Sequence, residues 1–168
     1  HCIIFPILLK EHGDFILPHQ VPANEFMNLE GDKISTSRNW AVWVSEFLEN
    51  NPEGSDPMRY VLTSILPEQR DSEFTWNDYR DRINNELADV LGNFVNRVLV
   101  LTRKYYDGAV PEISNEQELS KVDTALINEL EAASSKIGGL ISRFRFREAQ
   151  LEAMNIARRG NKYLTEEE

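Results

Sequence analysis

Between Trp76 and Tyr106 apolar side chains recur every three or four residues, at Ile83, Leu87, Val90, Leu91, Phe94, Val98 and Leu101, and no proline interrupts them. That repeat marks one face of an α-helix. At a rise of 1.5 Å per residue such a helix is about 45 Å long, too long for a buried segment of a small α/β domain, so it needs long partners. Two further stripes supply them. One runs through Leu119, Val122, Leu126, Leu130, Ala133, Ile137 and Leu140. The other runs through Phe146, Ala149, Ala153, Ile156, Ala157, Gly160, Tyr163 and Leu164. Three amphipathic stripes with short connections predict a mainly α fold built on an antiparallel helix bundle. A chain of 168 residues is long enough to bury a core of that kind.

Upstream of the bundle the chain is irregular. Ile3 to Leu9 predicts a short helix, broken at Gly13-Asp14 and followed by Pro18 and Pro22. Glu25 to Leu29 reads as a strand that turns at Gly31-Asp32. Everything later reads as helix. Trp40, Val44, Phe47 and Leu48 recur at helical spacing from Asn39 until Asn51-Pro52. Ser55 or Asp56 then caps a second helix with Pro57 in its first turn, carrying Met58, Val61, Leu62, Ile65 and Leu66 and ending at Pro67. Thr75 is the expected cap of the long helix. By spacing, Trp40, Trp43, Phe74 and Trp76 belong mostly to the core. Gly138-Gly139 marks a helix end or a close approach.

Composition narrows the function classes. A net charge of −10 excludes the strongly basic footprint of a generic nucleic-acid binder, and DNA is not an expected partner. Arg143, Arg145, Arg147, Arg158, Arg159 and Lys162 nevertheless crowd into the last stretch, where a local basic strip could form; a solvated face balanced by glutamates is the plainer reading of each. No apolar stretch approaches the roughly 18 residues of a membrane helix. The opening HCIIFPILLK lacks a basic leader and cleavage site, and the single cysteine, Cys2, suits a reducing cytoplasm. A chain that opens on His1 in an apolar run and closes on Glu166-Glu167-Glu168 is expected to be a piece of something longer. The histidines His1, His12 and His19 form no HExxH and no metal site is expected. A nucleophile elbow and a glycine-rich phosphate loop are also missing from the sequence.

Two signals remain. In GDKISTSRNW, the cations Lys33 and Arg38 bracket Ile34, Ser35, Thr36 and Ser37, giving donors suited to a chain of phosphates. On the long helix, Asn93 and Arg97 lie four residues apart and project side by side, about one residue off the stripe centred on Phe94. An amide and a guanidinium fork at a bundle rim are suited to the edges of unstacked RNA bases.

LEGDKISTSRNW resembles the KMSKS loop of class I aminoacyl-tRNA synthetases, placed just after a strand. The following run, SDPMRYVLTSILPEQRDSEFTWNDYRDRINNELADVLGNFVNRV, resembles methionyl-tRNA synthetases at Asp56, Arg59, Tyr60, Pro67, Asp71, Phe74, Trp76, Arg82, Asn84, Leu87, Leu91, Gly92, Asn93 and Arg97. The upstream HCIIFP and PANEF are similar to the same family. The likeness is weakest from about Ala109 to Leu140.

The resemblance implies a division into the end of a nucleotide-binding catalytic domain with its KMSKS-like loop (1–38), connecting helices that contact the tRNA stem (39–75) and a helical anticodon-binding domain truncated at its C-terminus (76–168). It implies that the loop closes over ATP, as its magnesium complex, while methionyl-adenylate forms, with Lys33, Ser35 and Ser37 at matching positions. Thr36 stands where the family more often has a lysine. A hydroxyl supplies no full charge, so Lys33, helped by Arg38, is expected to carry more of that role. The family's counterparts of Asn93 and Arg97 contact the CAU anticodon of tRNA(Met). A stacking tryptophan follows a Pro-Trp pair in the family. This chain ends before such a pair, so weak tRNA binding is expected. Without an HIGH-like tetrapeptide or a methionine pocket, the isolated piece is expected to be inactive and to hold no cofactor. The alternatives are a piece of the leucine, isoleucine, valine or cysteine enzyme, or a non-catalytic helical tRNA-binding module. The stretch from His1 to about Leu29 is expected to be the least ordered, held mainly where Trp40 and Trp43 dock.

Overall fold

The computed structural model describes residues 2–111 and 119–166. The expectations for His1 and for Glu167 and Glu168 lie outside those residues. The elements are α1 (Ile4–His12), β1 (Met27–Leu29), β2 (Asp32–Lys33), a 3-10 turn (Thr36–Arg38), α2 (Val44–Asn50), α3 (Ser55–Ser64) and β3 (Ser72–Phe74), then a long helix, α6 (Lys121–Ile141) and α7 (Phe146–Glu166). The long helix is continuous but not uniform. It comprises α4 (Trp76–Arg82), a π-helical segment (Ile83–Gly92) and α5 (Asn93–Tyr106). Thr75 caps it as the sequence predicts, its hydroxyl accepting the Asp78 N–H at 3.1 Å.

The contacts of α7 define the bundle. Tyr163 meets Asp123, Arg159 meets Glu129 and Lys136 meets Glu152, so α6 and α7 run antiparallel. Asn93 meets Asn161 and Arg97 meets Thr165, so α5 and α7 run parallel, completing an up-down-up order. α7 sits centrally, packing on α6, on the long helix and on α3. Its buried residues are mostly small: Ala149, Ala157 and Gly160, with Met154. The stripe read from sequence placed Ala153 inward and omitted Met154. The structure reverses the two, leaving Ala153 exposed. The connection after α5 is not short, since residues 107–120 separate it from α6. Gly138-Gly139 marks a helix end: their carbonyls accept the Ser142 N–H and the Arg143 side chain in the last turn of α6.

The N-terminal half departs further from expectation. β3 was not anticipated, because three residues after a helix end carry no periodicity; it forms through a parallel partner, β1, in a sheet of order β2-β1-β3. The hairpin between β1 and β2 turns on Glu30-Gly31 rather than Gly31-Asp32, with φ of 49° and 82°. Positive φ at both central residues matches the right-handed twist of the strands. Glu30 adopts that conformation while its N–H donates to the Phe74 carbonyl and its carboxylate accepts the Trp76 N–H at the start of the long helix. Helix α2 starts at Val44, not near Asn39, because Trp40 pairs with Ser35 and Asn39 closes the 3-10 turn at φ 52°. Gly54, not Ser55 or Asp56, caps α3.

Leu29, Val61, Ile65 and Phe74 form one buried cluster, with Met27, Met58, Tyr79 and Ile83 against it. Phe74 is core as expected. The three tryptophans are not, each about 40% exposed (Trp40 39%, Trp43 41%, Trp76 42%). Their indole N–H groups and faces bind at one edge, which leaves the other open: Trp40 donates to Leu29, Trp43 donates to Asn39, and Trp76 packs edge-on against Phe74. Residues 25–30 are held less by tryptophan docking than by β3. Glu25 donates to the Pro67 carbonyl, Phe26 to Asp71, and Ser72 to the Phe26 carbonyl.

Candidate functional site

The loop from Lys33 to Arg38 is a small closed ring. Ser35 and Trp40 exchange two backbone hydrogen bonds of 2.9 Å each, and the Trp40 indole N–H donates to the Leu29 carbonyl, also at 2.9 Å. The ring is thereby stapled to β1. Inside it, the Asn39 N–H donates to the Thr36 carbonyl and the Ser35 and Ser37 hydroxyls lie 3.2 Å apart. Arg38 reaches back to donate to the Lys33 carbonyl at 2.9 Å, and the Lys33 ammonium stands 5.5 Å from the centroid of Phe26. Every member of Lys33–Arg38 is exposed except Ser35, which is half-buried. Two cations and the hydroxyls of Thr36 and Ser37 therefore face solvent, with Ser35 half-buried beside them, on a backbone fixed at both ends. Beside the ring, the three tryptophans, Asn39 and Phe47 line a groove of about 430 Å³.

At the second place, the structure brings Asn93 and Arg97 together. Both point toward α7 and both bind one residue there. The Asn93 amide donates to Asn161 Oδ1 at 3.4 Å, and Arg97 donates to the Asn161 carbonyl at 3.0 Å and to Thr165 Oγ1 at 3.1 Å. Asn93 is exposed and Arg97 half-buried, so the pair sits at a rim rather than in the core. The helices approach closely because α7 carries Gly160 here. A Cβ at that position would lie 2.3 Å from the Phe94 ring. Asn161 escaped the sequence reading, although the small residue preceding it in the α7 stripe signals such an approach.

The terminal cations do not form an open basic strip. Arg145 pairs with Glu148, Arg159 with Glu129 at 3.1 Å and Lys162 with Glu166 at 3.4 Å. Arg143 and Arg147 donate to the carbonyls of Gly139 and Ser64, and Arg158 to the Asn155 side chain. The plainer reading, a face balanced by glutamates, fits Arg145, Arg159 and Lys162; the other three bind neutral oxygens.

A polar seam runs between α3 and the first half of the long helix. Tyr60 on α3 donates to Glu86 in the π segment, Glu86 faces Arg82 at 3.5 Å, and Arg82 holds Asp78 at 2.7 Å. Burial, and then the bond to Glu86, push the Tyr60 hydroxyl up to about 12. Gln150 and Arg147 of α7 donate to the carbonyls of Tyr60 and Ser64, locking α3 to the bundle. Among the described residues no three His, Cys, Asp or Glu side chains are grouped to hold a metal ion, and no helix is long and apolar enough to cross a membrane.

The family described as tRNA synthetases class I (M) matches residues 1–99. Along its whole length the chain is 59% identical to a methionine–tRNA ligase of Christiangramia forsetii and 56% identical to one of Flavobacterium psychrophilum, matching 24% of each relative. The chain thus spans about a quarter of the length of the curated relatives it matches. Among solved structures it is similar to the methionyl-tRNA synthetase of Mycobacterium tuberculosis bound by methionyl-adenylate. That match has a TM-score of 0.82 at 27% identity and covers 96% of this chain and 30% of the other.

Proposed function

Because the chain belongs to the class I tRNA synthetase (M) family, we propose that it is the part of a methionine–tRNA ligase that joins an ATP-clamping loop to a helical surface reading the CAU anticodon of tRNA(Met). In this reading the whole enzyme works in the cytoplasm, activating methionine with ATP and transferring it to tRNA(Met). Residues 1–38 end the catalytic domain, 39–75 connect, and 76–168 bind the anticodon arm; residues 112–118 of that last part lie outside the described ones. The single observation that carries the reading is the exposed rim where Asn93 and Arg97 are held to one residue of α7. An amide and a guanidinium so placed offer donors and an acceptor to a splayed base.

The loop's donor set fits a triphosphate. Lys33 and Arg38 bring charge, and the Ser35, Thr36 and Ser37 hydroxyls bring hydrogen bonds, to oxygens on which negative charge grows as pyrophosphate leaves. Arg38 gives one guanidinium nitrogen to the Lys33 carbonyl and Lys33 stands over the Phe26 ring, and each cation has further N–H donors for phosphate. With a hydroxyl at Thr36, the charge falls to Lys33 and Arg38. The sequence has no HIGH-like tetrapeptide to oppose the loop, so the isolated chain is inactive in this account.

The test is methionine-dependent pyrophosphate exchange by the full-length protein. Lys33→Ala should slow exchange by about a hundredfold or more, and Thr36→Ala by less than about tenfold. The reverse order would overturn the assignment of the main role to Lys33. Exchange with leucine, isoleucine, valine or cysteine in place of methionine would favour another class I enzyme. No exchange with any amino acid would favour a non-catalytic tRNA-binding module.

A further inference from the structure

We propose that Asn161 is a positioning residue for the Asn93–Arg97 pair, setting the side-chain directions on which discrimination of the anticodon depends; the inference rests on the reading of that pair given above. Asn161 makes contacts in three directions. Its side-chain amide donates to the Val90 carbonyl at 2.8 Å, its Oδ1 accepts from the Asn93 amide at 3.4 Å, and its backbone carbonyl accepts from Arg97 at 3.0 Å. Thr165, one turn on, donates to the same carbonyl at 3.0 Å and accepts from Arg97 at 3.1 Å.

The contact to Val90 matters most. The long helix changes from π to α winding at Gly92–Asn93, and the Asn93 N–H there is shared between the Ala88 and Val90 carbonyls. Asn161 adds a second donor to that Val90 carbonyl, reaching it from α7. It therefore clamps the junction that fixes how far Asn93 and Arg97 are rotated about the helix axis. Its Oδ1 then turns the Asn93 amide, and its backbone orients the Arg97 fork. Gly160 makes this reach possible by allowing the Phe94 ring to lie on the α7 backbone. Arginine is among the side chains with the most rotamer freedom to lose. A surface that holds it in advance binds its target at lower entropic cost.

The test is binding of anticodon stem-loop RNAs to the full-length protein by fluorescence anisotropy, comparing a CAU loop with a UAU loop. The readout is the ratio of the two affinities, which a general loss of folding would lower for both loops alike. Asn161→Ala and Asn161→Leu, the second keeping a branched side chain without its polar atoms, should each reduce the preference for CAU by about tenfold while UAU affinity stays within about twofold. Asn161→Ser serves the same comparison should either variant fold poorly. If both variants keep the wild-type preference while Arg97→Ala abolishes it, Asn161 has no positioning role and the reading of the pair stands. Equal weakening for both loops would also overturn the proposal, leaving Asn161 a packing residue. If Arg97→Ala itself leaves the preference intact, the anticodon reading fails and takes this inference with it.

Discussion

The loop at Lys33–Arg38 and the rim at Asn93–Arg97 are held by opposite means. The loop is fixed by contacts within itself and the strand before it: Ser35 to Trp40, Arg38 to Lys33, Trp40 to Leu29. The rim is fixed by residues 64 to 71 positions away in sequence, all on α7. The packing beneath differs as well. Under the loop lies a cluster of large buried side chains, Leu29, Val61, Ile65 and Phe74. Under the rim, alanines and a glycine let helices approach closely. A site fixed by local contacts survives rearrangement elsewhere in the molecule, whereas one fixed across helices depends on their spacing. The loop should therefore fail through its cluster and the rim through its helix contact.

Phe74→Ala is the harshest way to break that contrast. Phe74 is 3% exposed and its carbonyl accepts the Glu30 N–H, so it serves the cluster and the hairpin together. Truncating a buried phenylalanine costs about 3–5 kcal/mol. A loss of that size should appear in urea unfolding of the chain, with amide exchange quickening first at β1 and β3. If Leu140 and Ala157 lose protection to the same degree, the two regions are one cooperative unit and the contrast is false.

How each region could be read from the sequence follows the same line. The Lys33–Arg38 motif and the Thr75 cap lie close along the chain, where residue type and spacing carry information; Thr75 caps the long helix as read, and the motif folds as one exposed turn. The three stripes are legible because helical periodicity is local too. β3 is not, since its reason for being a strand is β1, more than forty residues upstream. The tryptophans mislead because bulk and spacing say core, while the indole N–H groups of Trp40 and Trp43 and the ring packing of Trp76 on Phe74 tie one edge and leave the other to the groove. At the rim, Asn93 and Arg97 follow from their spacing of four. Asn161 does not, because only the packing of Gly160 on Phe94 brings α7 within reach.

Gly160→Ala sharpens the contrast from the other side, with a smaller effect. The added methyl would press on the Phe94 ring and force the helices apart or the ring aside, at about 1–3 kcal/mol. Thermal unfolding should register that loss. The native tryptophan emission should not move, because all three tryptophans belong to the loop side and the groove they share excludes α7. A shifted native emission would mean that strain at the rim reaches the loop side.

The mildest effect concerns acid, and it falls on the helix pair alone. Asp123 near the start of α6 accepts from the Tyr163 hydroxyl at 2.7 Å and from the Ser120 backbone N–H at 2.8 Å, while its own N–H donates to the Ser120 hydroxyl in a reciprocal cap. These bonds favour the carboxylate and hold Asp123 below its ordinary value, the Tyr163 bond contributing most. Because the folded value lies below the unfolded one, the stabilisation is present above the ordinary value and is lost as pH falls through the folded one. The α6–α7 pair should therefore loosen below about pH 4, with less effect on the loop side, which lacks this group. Asp123→Asn should lower stability at neutral pH and flatten the acid limb of a plot of urea midpoint against pH. An unchanged acid limb in the variant would show that other carboxylates govern it, and that α6 owes its hold on α7 to Leu140 and the ion pairs instead.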